Sequence, residues 1–171
     1  AGDVINWSNS ISSDPFFVNA SSDDYSLQNY SPAIGAGTTS GAPSTDIDGK
    51  TRPTPSGTNP DMGAYENNLG SPTIAVLDVT STTDNGTYKI GDVIAIKIFV
   101  SETVTVTGTP QLTLETGTTD VVVNYSTGSA TNTLTFNYTV ASGHTSSDLD
   151  YKSTTALALT GGTIKNSAGT A

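Results

Sequence analysis

Two stretches decide the fold: Ile94-Ala95-Ile96-Lys97-Ile98-Phe99-Val100 and Leu134-Thr135-Phe136-Asn137-Tyr138-Thr139-Val140. In the first, Ile94, Ile96, Ile98 and Val100 stand two apart. In the second, Leu134, Phe136, Tyr138 and Val140 do the same. A period of two sends alternate side chains to opposite faces of a strand, so each stretch predicts a half-buried antiparallel strand with one apolar and one polar face.

Working outward, further strands are predicted around 73–80, 92–100, 103–107, 111–115, 120–125, 132–140 and 155–160. Turn-forming words separate them: Asp84-Asn85-Gly86, Gly108-Thr109-Pro110, Glu115-Thr116-Gly117, Thr127-Gly128-Ser129, Ser142-Gly143 and Gly161-Gly162. About seven short strands in about ninety residues fit an all-β immunoglobulin-like β-sandwich.

Composition agrees with a sheet protein and excludes several classes of function. Only 34% of the 171 residues are hydrophobic and 13% charged; Ser, Thr, Asn and Gly supply much of the rest, which suits strand surfaces and turns better than helices. Sixteen acidic against six basic residues give a formal charge of -10. That balance repels phosphate backbones and anionic lipid, so no nucleic-acid partner is expected. No apolar run approaches the ~20 residues of a helical membrane span. With no cysteine there is no disulfide framework and no thiolate metal site. Ala1 is not followed by the charged and apolar regions of a signal peptide, and the chain starts like the middle of something longer.

The character of the chain changes near Gly70, which predicts two parts: residues 1–69, a loop-rich extended arm, and residues 70–171, the sandwich. Before Gly70, Pro15, Pro32, Pro43, Pro53, Pro55 and Pro60 would interrupt any sheet interior. Apolar anchors recur between them, among them Val4, Ile5, Trp7, Ile11, Phe16 and Phe17.

The wording of each half is also informative. Asp14-Pro15-Phe16-Phe17-Val18, Ser31-Pro32-Ala33-Ile34-Gly35-Ala36-Gly37, Asp46-Ile47-Asp48-Gly49, Arg52-Pro53 and Asp61-Met62-Gly63-Ala64-Tyr65-Glu66 occur in that order. Together they resemble the C-terminal cap of secreted right-handed parallel β-helix proteins of the pectate-lyase-like superfamily. The catalytic coils of such enzymes lie upstream of the cap, so the resemblance implies no catalytic residue here. In the second half, Asn85-Gly86-Thr87-Tyr88, Phe99-Val100-Ser101-Glu102, Thr109-Pro110-Gln111-Leu112-Thr113-Leu114 and Gly161-Gly162-Thr163-Ile164-Lys165 resemble a repeated Ig-like module of large bacterial surface proteins and adhesins. That resemblance implies an extracellular, cell-surface location and one further apolar strand after Gly169.

A sandwich lacking its last strand leaves unpaired backbone groups beside apolar side chains, which a strand from another chain can satisfy. The expected function is a structural or adhesive extracellular module, a subunit of a surface filament or sheath assembled by strand donation. The alternative is an accessory stalk or spacer in a larger adhesin or a β-helix polysaccharide-active enzyme. The expected donor residues are Val4, Ile5, Trp7, Ile11, Phe16 and Phe17, and the expected acceptor groove is Ile74, Val76, Val79, Leu157 and Leu159. Partners would be other copies or neighbouring modules, with a glycan or cell-surface ligand as a further option.

Chemistry is otherwise sparse. His144 is the only histidine; placed beside Gly143, it is expected to be a solvated loop residue. No nucleophile has a motif around it, so no enzyme is expected. Asp46-Ile47-Asp48-Gly49 resembles the start of a calcium loop but lacks the downstream glutamate at EF-hand spacing. A tight turn is the simpler reading, with calcium at Asp46 and Asp48 as the alternative; no other cofactor is expected.

Overall fold

The computed structural model describes residues 10–171. The chain is all-β and divides into two compact units, Ala1–Thr73 and Ile74–Ala171.

The first unit holds little regular structure. Strands β1 (Phe17–Asn19) and β2 (Asp24–Leu27) form an antiparallel ribbon joined through a single 3-10 turn over Ala20–Ser22. Among the described residues its apolar core is small: Leu27, Ala33 and Ile34 are buried, with Met62 and Leu69 against them. Buried polar groups do the rest of the binding.

Four side chains from distant loops converge. Asp46 Oδ1 accepts the Asp48 and Lys50 N–H groups at 2.9 and 2.8 Å, and its Oδ2 accepts the Glu66 N–H at 2.9 Å. Glu66, with its side chain fully buried, pairs with Arg52 Nε at 2.9 Å. Its two oxygens also accept the N–H groups of Thr54 (2.9 Å) and Asp61 (3.2 Å). Asp61, 3% exposed, takes the N–H of Gly35 at 2.8 Å and that of Asn67. Buried carboxylates are tolerated only when paired and hydrogen-bonded, and these are. Gly35 has to be glycine: its φ is +63° and an added Cβ would lie 2.4 Å from the Gly70 carbonyl oxygen.

The network also sets the response to acid. Burial alone would push the Asp46 carboxyl up, but the N–H groups of Glu66, Lys50 and Asp48, aided by Arg52, bring it below its ordinary value of 3.8. A carboxyl depressed by folding contributes stability above that ordinary value and loses it as pH falls through the folded one. Asp61 has the opposite sign, since burial raises it; its contribution is lost as pH climbs from 3.8 through the raised value. Asp46→Asn is therefore expected to flatten the acid limb of the first unit's melting temperature against pH. Thermal melts from pH 2 to 7 would check this, an unchanged acid limb counting against the role given to Asp46.

The second unit is one curled antiparallel sheet. Its strands are β3 (Val76–Ser81), β4 (Val93–Thr107), β5 (Gln111–Glu115), β6 (Val121–Thr127), β7 (Thr131–Thr139), β8 (Asp150–Tyr151), β9 (Leu157–Ala158) and β10 (Thr163–Lys165). They run in the order β10-β4-β7-β6-β5-β8, with β3 also against β4 and β9 also against β5. The period-two residues land where the pattern placed them: Ile94, Ile96, Ile98, Val100, Leu134, Phe136 and Tyr138 are buried in one core with Leu112, Leu114 and Val123. Val140 is partly buried against it.

Two strands predicted around 92–100 and 103–107 are a single bent strand. The first half of β4 lies between β3 and β7; after a register shift between Phe99 and Val104 its second half takes β10. Ser101 keeps the backbone paired through the bend, since its N–H donates to the Ala75 carbonyl at 2.9 Å and its Oγ accepts the Ala75 N–H at 3.1 Å. A bulge of this kind bends a strand without ending it.

The β6–β7 turn depends on Gly128. Its φ is +118° and an added Cβ would stand 2.0 Å from the Thr133 carbonyl oxygen, a backbone atom with no room to yield. Gly128→Ala is expected to cost about 1–3 kcal/mol or more, read as a lowered urea midpoint with unchanged slope.

Candidate functional site

Two of the sheet's edge strands, β3 and β8, line one opening. Among the described residues, β3 pairs only with β4, and β8 only with β5. A cleft of about 1080 Å³ lies between them. Val79, Thr80 and Ser81 of β3 form one wall, and Asp150 and Tyr151 of β8 the other. Buried apolar residues reach the cleft from below, Ile94 and Ile96 of β4, Leu114 of β5 and Tyr138 of β7, and the loops 83–88 and 144–149 line the rest with mostly polar side chains. A sheet edge with free N–H and C=O groups beside apolar side chains is a template for another strand.

Local chemistry holds the loops around the opening in place. Ser81 Oγ accepts the Thr83 N–H, and Thr83 Oγ1 accepts the Ala95 N–H, both at 3.0 Å, so the chain leaving β3 is fastened to β4. The Tyr88 hydroxyl donates to the Asp84 carbonyl and closes that loop on itself. The β4–β7 ladder is extended to the cleft by paired bonds, Gly91 N–H to Val140 C=O and Val140 N–H to Asp92 C=O, each 2.9 Å.

His144 differs from its expected place as a solvated loop residue. It is half-buried in the cleft lining, its Nδ1 is 2.9 Å from the Tyr138 hydroxyl, and the two rings stack at 5.7 Å between centroids. The cause is Tyr138, which is 3% exposed. A tyrosine turned inward needs a partner for its hydroxyl, and the only histidine of the chain supplies it. Burial pushes the Tyr138 hydroxyl above its ordinary value.

Of the residues expected to form an acceptor groove, Val79 lines this cleft. Val79, Ile74 and Leu157 all pack partly buried against the core, Leu157 opposite Leu112. Val76 is about half exposed and Leu159 is exposed. Among the expected donors, Phe16 packs edge-on to Tyr30 at 5.2 Å and Phe17 edge-on to Tyr25 at 5.4 Å, both within the first unit. Ile11 is exposed beside a smaller groove of about 540 Å³ that Met62 also lines. Val4, Ile5 and Trp7 lie outside the described residues.

The Asp46-Ile47-Asp48-Gly49 word is a turn, with Gly49 at φ +83° and the Asp46 oxygens taken up by three backbone N–H groups. Asp48 is exposed. Among the described residues no group of three or more His, Asp or Glu side chains is placed to hold a metal ion, and no helix is long and apolar enough to cross a membrane. Compared with protein-family models, curated proteins and solved structures, the chain matches none.

Proposed function

We propose that the second unit is an immunoglobulin-like structural module of an extracellular surface assembly, and that it works by accepting a β-strand from another chain into the cleft between β3 and β8. The observation carrying this reading is that β3 and β8, each paired on one side only among the described residues, both line one opening that reaches buried apolar residues of the core. The strand order supports the architecture. β3-β4-β7-β6 has the order of the A-B-E-D half of a constant-type sandwich, and β5 with β8 and β9 that of the C and F strands; β10, next in the chain, pairs with the second half of β4 and not with β8, so among the described residues no G strand covers the β8 edge. Strand addition joins chains through main-chain hydrogen bonds, with alternate side chains filling pockets, and needs no catalytic group.

Val79→Asp tests the reading directly. Val79 lines the cleft and also packs partly buried against the core, so a melting temperature showing that the variant still folds accompanies the assembly measurement, in which the charge should oppose an incoming apolar strand. Material assembled in its native setting should sediment as large particles with the natural chain and as single chains with the variant. Equal assembly by both would rule the cleft out as the joint.

A further inference from the structure

The electrostatics of the opening narrow the choice of strand, on the basis of the acceptor reading above. Asp84, Asp148 and Asp150 line the cleft, and neither a lysine nor an arginine lines it. The register puts the end of β3 and the start of β8 at the same end of the sheet. Leu114 lies opposite Val121 and Glu115 opposite Asp150, while Val93 at the start of β4 lies opposite Thr139; Asp84 follows the end of β3 and Asp148 precedes β8. Lys152, which follows β8, is ion-paired with Asp120.

We infer that the cleft takes an extended strand from a different protein, with apolar residues at alternate positions over the buried apolar residues and a lysine or arginine at the end that comes to rest among Asp84, Asp148 and Asp150. A strand bearing a carboxylate there would meet like charges; one bearing a cation gains up to three attractive pairs. The Ala1–Ile11 segment of a second copy fits poorly, since it contains Asp3 and no lysine or arginine.

Strand direction links charge to polarity. The six strands from β3 through β4, β7, β6 and β5 to β8 are antiparallel in succession, so β3 and β8 run opposite ways. One inserted strand is antiparallel to β8 if its cation is at its C-terminal end, and antiparallel to β3 if its cation is at its N-terminal end.

The experiment uses the intact chain and four labelled peptides that share one alternating Val/Thr centre. They carry two lysines or two glutamates at either the N-terminal or the C-terminal end. A fifth peptide has the sequence of residues 1–11. In fluorescence anisotropy, the lysine peptide of one polarity is expected to bind about ten-fold more tightly than its glutamate twin, the sum of two or three exposed pairs. The gap should shrink as salt is raised and vanish in the Asp84→Asn, Asp148→Asn, Asp150→Asn triple variant, whose melting temperature verifies folding. Equal binding of lysine and glutamate twins in both polarities, a preference that survives in the triple variant, or tighter binding by the 1–11 peptide would each overturn the charge rule while leaving strand acceptance standing. Failure of every peptide to bind would overturn both.

Discussion

Glu66→Gln should unfold the first unit at a denaturant concentration where the second is still intact. The change keeps the shape of the side chain and removes its charge, breaking the ion pair with Arg52, whose side chain is 8% exposed, and leaving the guanidinium only the weaker attraction of Asp46 and Asp61. Breaking a buried pair from one side costs about 3–5 kcal/mol, and among the described residues the unit's apolar core has three buried members, Leu27, Ala33 and Ile34. Calorimetry should show one transition moving down and the other unmoved. A combined Arg52→Met, Glu66→Leu variant should not recover full stability. An apolar pair can replace a buried ion pair in general, but here the Thr54 and Asp61 N–H groups would lose the acceptor they share in Glu66. Full recovery would mean that the ion pair, and not the backbone bonds, is what Glu66 provides.

Phe136→Ala is the corresponding test in the second unit. Phe136 is fully buried, stands opposite Ile96 on β4, and meets the Tyr125 ring edge-on at 6.0 Å. Truncating a buried phenylalanine costs about 3–5 kcal/mol through lost transfer energy and the cavity left behind. Val93→Ala, on the same sheet but with Val93 53% exposed, should stay within about 0.5 kcal/mol of the natural chain. Urea melts of the two variants would check both. Similar losses would contradict the placement of the core on the Ile94–Val100 and Leu134–Tyr138 faces.

Those faces were legible in the sequence because a strand's alternation is a local property, visible without knowing its neighbours. Other features depend on pairing and were not. The bend in β4 looked like a break because Ser101-Glu102 interrupts the apolar alternation, yet Ser101 holds on to Ala75, 26 positions away. β8 and β10 carry only two and three residues, too few to show a period. The Asp46, Arg52, Asp61 and Glu66 words were visible as a familiar series, but their convergence on one network spans up to 20 positions and follows from how the loops cross. His144 was misplaced because a lone histidine beside a glycine says nothing of Tyr138, whose inward position in the alternation was the available clue. Of the five residues expected to form an acceptor groove, only Val79 lines the cleft. Its walls at Val79–Ser81 and Asp150–Tyr151 follow from the curl of the sheet, which no single strand encodes.

Hydrogen exchange at the two facing edges tests the central claim most directly. In the isolated chain, the backbone amides of β3 that point away from β4, and those of residues 150–158 that point away from β5, should exchange rapidly, as unpaired edge groups do. On assembly they should become protected together, while amides already bonded in the β4–β7 ladder keep their rates. Protection of both edges in the isolated chain, or of neither in the assembled material, would contradict a cleft that is open until another chain's strand fills it.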